Sequence, residues 1–89
     1  MKTPSETLDF VTMLLIKDFN MLTVELRHGT AMMLDNTEKR LPIIEINFKD
    51  NSKSNYWVDI LNVRLKDFLE GQKFLVTGCD KDSLIIALF

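Results

Sequence analysis

Cysteine and histidine each occur once in this chain of 89 residues, at Cys79 and His28, and glycine only three times. A lone thiol rules out an intrachain disulfide. Small secreted domains usually carry several such bonds, so a reducing, cytoplasmic setting is expected. Two Cys/His side chains in total are too few for a structural zinc site. Glycines at 29, 71 and 78 form neither a dinucleotide fingerprint nor a P-loop. Asp80-Lys81-Asp82-Ser83 has the alternating oxygens of a calcium loop but lacks its third acid, its glycine and its distal Glu. No metal and no cofactor is therefore expected.

Long apolar runs are missing too. Phe10–Ile16 is broken by Thr12 and preceded by Glu6 and Asp9, so it matches no secretory leader and is far too short to span a bilayer. No membrane association is expected. Nor does one sign of charge dominate. The net charge is -2; residues 1–45 hold five Lys/Arg against seven Asp/Glu, and residues 46–89 hold six of each. Nucleic-acid binding relies on clustered cations that release counterions, and here only folding could gather them.

What the chain does have is core material. Its residues are 46% hydrophobic, with six Phe, one Trp and five Met, which excludes general disorder. The length suits one domain spanning residues 1–89. Thr3-Pro4-Ser5-Glu6 reads as a capping box with proline in the first turn. Leu8, Val11 and Leu15 follow at helical spacing with Phe10, Met13 and Leu14 beside them, which predicts a helix over 4–18, apolar on nearly every side. From Asn20 the period changes. Leu22, Val24 and Leu26 alternate with Thr23, Glu25 and Arg27 as in a half-buried strand, with His28-Gly29 as a hairpin turn and Thr30–Leu34 as the returning strand.

A polar loop over 35–40 leads to a strand over Leu41–Lys49. Residues 50–55 read as the most loop-like segment, joining that strand to Tyr56–Asp59. Residues 59–70 fit either a short helix or a strand; their length and the terminal Gly71 favour the helix. Lys73–Thr77 and Ser83–Phe89 read as strands joined by a turn over 78–82. The last strand is apolar on both faces. The expected fold is α+β: an N-terminal helix on a mainly antiparallel sheet of about five to six strands, with a possible second short helix near 59–70.

The segment Leu22-Thr23-Val24-Glu25-Leu26-Arg27-His28-Gly29-Thr30, after a short helix, resembles the opening of Sm-like domains, which are small, strongly bent β-barrels. The likeness covers about a third of the chain. The Asp-x-x-Met-Asn and Arg-Gly segments such domains use to contact RNA are absent, so no binding residue carries over.

Among candidate sites, Tyr56-Trp57 beside the 50–55 loop is the one concentration of large amphipathic aromatics. Such pairs anchor interfaces or place one ring in the core and the other at its rim. With Asn51 and Lys53 from the loop, they form the expected protein-contact surface. His28 could act as a general base and Cys79 as a nucleophile, alone or as a dyad; a solvated turn histidine and an unreactive thiol are the simpler readings.

A helix and a terminal strand that are both apolar on more than one side need more cover than one small chain supplies. The leading expectation is a non-enzymatic protein-interaction module, of the adaptor, inhibitor or immunity type. It would act through a sheet edge or apolar face, with another protein or a second copy (a homodimer) as partner. The alternatives are a nucleic-acid-binding domain using Lys39, Arg40, Lys49, Lys53, Arg64 and Lys66, and a small oligomeric enzyme with a site around His28 or Cys79.

Overall fold

A computed structural model describes the backbone of residues 1–49, 52–80 and 82–89, and the side chains of all of these except 52–55 and 80. The order of elements is α1 (Pro4–Leu15), β1 (Met21–Met32), β2 (Glu38–Phe48), α2 (Ser52–Leu69), β3 (Phe74–Asp80) and β4 (Ser83–Leu88). The α+β expectation holds.

Helix α1 starts as its sequence dictates. The Thr3 side chain accepts from the Glu6 backbone N–H at 3.1 Å, while the Thr3 N–H donates to the Glu6 carboxylate at 3.2 Å. Two orphan amides of the first turn are satisfied reciprocally. The helix ends at Leu15, three residues before the expected end, because the chain turns there: the Asp18 N–H bonds the Leu15 carbonyl at 2.9 Å.

The four strands form an antiparallel sheet in the order β1-β2-β4-β3. This is fewer than the five to six expected. The difference arises at His28-Gly29, which is not a turn but lies inside β1, where His28 pairs with Pro42 and Gly29 with Leu41. The Ile43 side chain leans over the bare Gly29 backbone. A Cβ at Gly29 would stand 2.1 Å from Cδ1 of Ile43, whose side chain fills that position from the neighbouring strand. The hairpin reverses later, over 33–37. The Asn36 N–H bonds the Met33 carbonyl at 3.0 Å, the Met33 N–H bonds the Thr37 carbonyl at 2.8 Å, and Asn36 takes φ 67°. That is the three-residue hairpin loop with a left-handed third position, which Asn tolerates.

Strand β3 also runs further than expected, so Gly78-Cys79-Asp80 belong to the strand and the reversal into β4 is tighter. The ambiguous 59–70 segment is helical, within an α2 that already includes Tyr56–Asp59 and begins at Ser52, inside the segment expected to be a loop. Both helices lie on one side of the sheet, α1 over β1 and α2 over β3 and β4. Val11 and Leu15 from α1 and Trp57, Leu61, Leu65 and Leu69 from α2 meet Ile44, Ile46, Phe48, Val76, Leu84 and Ile86 in one core. The spacing 57-61-65-69 keeps one face of α2 inward, and alternation along β2 and β4 turns their even-numbered residues to the helices. Phe10 and Phe68 stack between the helices with centroids 4.1 Å apart. The described strands form an open sheet with β1 and β3 at its edges, unlike the closed barrel of the Sm-like resemblance.

Candidate interaction surfaces

With both helices on one side, the other face of the sheet has no covering layer. Odd-numbered strand residues populate it, except Met21, which packs on the core, and the buried Leu41 and Ser83. Its β1–β2 half is polar: Arg27 pairs with Glu45 at 3.1 Å, and Asn47 donates to the Thr23 hydroxyl at 2.9 Å. The β4–β3 half is mainly apolar, with the exposed Thr77 opposite Ile85. Ile43 lies opposite Ala87 and Ala87 opposite Leu75; Ile85 lies beside them. Leu75 is 53% exposed. Leu75 also lines, with Phe89, Phe74 and Lys66, a shallow groove of about 580 Å³ that extends this patch past the end of β3. The terminal strand is thus apolar on both faces as expected, with one face in the core and the other on this open side.

A second surface surrounds Tyr56-Trp57. The two rings, in T-shaped contact 5.6 Å apart, part company in their surroundings. Trp57 turns inward, is buried, and donates from Nε1 to the Asp18 carboxylate at 2.5 Å. Asp18 also accepts from the Asn20 backbone N–H at 2.8 Å, so one carboxylate ties the end of α1 to the start of α2. Tyr56 faces outward and shares a notch with Leu14, Lys17 and the fully projecting Phe19. Of the expected contact residues, Asn51 lies outside the described residues and the Lys53 side chain is not described. Phe19 was not foreseen from the sequence: a lone Phe between two elements has no periodic partner to mark it. Met13 and Ile16 on the outer side of α1 are also exposed.

The third surface is the free edge of β1. Its 12 residues contain no proline and no lysine, and its ladder with β2 is regular from Thr23 to Met32. Exposed edges are usually blunted by such residues or by bulges. The opposite edge, β3, is seven residues long and irregular between Gly78 and Asp80.

His28 and Cys79 are both exposed and lie on these two opposite edges. Two strands separate them, roughly 14 Å at ordinary strand spacing, so one chain does not assemble the dyad. Among the described residues no three His, Cys, Asp or Glu side chains gather as metal ligands, and no helix is long and apolar enough to cross a membrane. Of the candidate nucleic-acid cations, Lys39 and Arg40 line a cavity of about 240 Å³ with Lys2 and Lys73, and Lys66 shares the neighbouring groove with Lys73; Arg64 lies on the outside of α2, Lys49 beyond the other end of β2, and the Lys53 side chain is not described. Lys2 places its ammonium 4.9 Å from the Phe68 ring centroid.

The carboxylates with displaced acidity serve local structure. Glu6 is held below the ordinary range first by the Thr3 backbone N–H and then by the Thr3 side chain, and Asp35 by the hydroxyl and backbone N–H of Thr37 in the hairpin loop. No protein-family model matches the chain, and no curated protein or solved structure is significantly similar to it.

Proposed function

We propose that this chain is a non-enzymatic protein-interaction module that works through its sheet, with another polypeptide as ligand. The observation that carries the reading is the one-sided packing. Two helices fill one face, leaving Ile43, Leu75, Ile85 and Ala87 on the other without a second layer. Sheets with one solvated face normally alternate apolar-in and polar-out; half of this outer face breaks that rule. Strand addition at the edge and side-chain contact on the face are the two ways a polypeptide ligand uses such a sheet. Phe19 and Tyr56, both exposed, supply the aromatic character that concentrates binding energy at interfaces.

Native mass spectrometry of the chain, purified gently from its source cells, tests the reading. A defined complex with protein is the expected result, and it should weaken on Ile85→Asp, which puts a charge on the apolar half of the face. A species of monomer mass carrying no protein would refute it.

A further inference from the structure

We propose that the edge of β1 pairs with β1 of a second copy, antiparallel and centred on Leu26, joining two four-stranded sheets into one continuous sheet of eight strands. The inference rests on the protein-interaction reading and names the partner and register for one of its surfaces.

The phase of the β1–β2 ladder comes first. Residues of an antiparallel pair alternate between those that exchange hydrogen bonds with the neighbour and those that point their N–H and C=O the other way. The bond from the Met33 N–H to the Thr37 carbonyl, at the hairpin end of a regular register, makes the odd-numbered residues of β1 face β2. Val24, Leu26, His28 and Thr30 therefore direct their backbone groups to the open edge, whereas Leu22 sits at the register shift between Met21 and Thr23. A two-fold axis through Leu26 pairs Leu26 with itself and Val24 with His28, each as a hydrogen-bonding pair. About six interchain backbone bonds result.

The side chains select that register. In it Glu25 lies opposite Arg27 of the second copy, and Arg27 opposite Glu25, all on the open face. These are non-hydrogen-bonded positions, where side chains come closest. Centring one residue either way puts Glu25 against Glu25 or Arg27 against Arg27, and like charges directly opposite are unfavourable. Within one chain Glu25 is poorly placed. It lies opposite Glu45, whose only cation among the described residues is Arg27, and Glu25 itself has no ion pair there. The second copy supplies the missing cation. From Thr23 to Met32 the same edge has neither proline, lysine nor a bulge to keep a second strand away.

The test is charge exchange read by sedimentation and native mass spectrometry on the full chain. Glu25→Lys alone and Arg27→Glu alone each place two like-charge pairs across the axis, and each should weaken self-association at least tenfold. Mixed in equal amounts, the two variants restore both opposite-charge pairs, so a heterodimer should form in preference to either homodimer. His28→Pro removes an outward N–H without touching the β2 ladder and should also give monomers, with unchanged far-ultraviolet circular dichroism showing that the chain still folds. A monomeric wild-type chain, or a dimer indifferent to all three substitutions, would overturn the proposal. A complex with a different protein that persists in these variants would overturn it while leaving the interaction reading intact.

Discussion

Trp57 offers the sharpest test of how the two helices are joined. Replacing it by Phe keeps an aromatic ring in the core but deletes the Nε1–H that donates to Asp18 at 2.5 Å. A hydrogen bond to a charged acceptor contributes about 1.5–3 kcal/mol. The smaller ring leaves roughly 40 Å³ unfilled, adding roughly 1 kcal/mol at about 24 cal/mol per Å³. The expected loss is about 2.5–4 kcal/mol, a large share of the ~5–15 kcal/mol that holds an ordinary domain folded. The midpoint of thermal unfolding should fall by roughly 10–30 °C. Trp57 is the only tryptophan, so urea unfolding must be followed by circular dichroism rather than fluorescence. Asp18→Ala alone should cost more than the shared bond, because Asp18 also accepts from the Asn20 N–H. The double-mutant cycle isolates the pair, and a coupling of about 1.5–3 kcal/mol is expected. A coupling below about 0.5 kcal/mol would show that the indole–carboxylate contact does not hold the helices together.

Two further perturbations address local structure. Thr3→Ala breaks the capping box and should cost about 1 kcal/mol in chemical denaturation. Because Glu6 is held below its ordinary value of 4.5 when folded, its contribution is full above that value and is lost as pH falls through the folded one. Wild-type stability should therefore drop in acid along a steeper curve than that of Glu6→Gln, and parallel curves would count against the cap. Glu70 is exposed and held at φ 47° just before Gly71 at φ 94°. Relieving a left-handed residue is worth about 1–2 kcal/mol, offset by about 0.5–1 kcal/mol of added freedom in the unfolded chain. Glu70→Gly should raise the melting midpoint by a few degrees; a fall would refute the assigned backbone strain.

The parts legible in the sequence are those whose causes lie within a few residues. Thr3 and Glu6 are three positions apart, and their reciprocal bonds form whatever surrounds them, so the start of α1 could be read directly. Ile44, Ile46 and Phe48 alternate with polar residues, which marked β2 and its inward face. The double-sided apolar character of β4 follows from a simple run of side chains.

Tertiary structure decided whatever depended on a distant neighbour. Gly29 looked like a turn residue because glycine permits positive φ; it lies inside a strand, where the end of the Ile43 side chain, fourteen positions away, occupies the place a Cβ would take. Ser52 and the residues after it carry a turn-like composition, yet they are helical, continuing the α2 whose inward face docks on the sheet. Nothing local told Trp57 from Tyr56; Asp18 did, by offering a carboxylate where one indole could reach it. The two edges differ for the same kind of reason. Strands β1 and β3 both alternate, but only the sheet order leaves the long, regular one unpaired. Capping and periodicity act over one or two turns of chain, whereas pairing, space and burial are set by whatever residue the fold brings opposite.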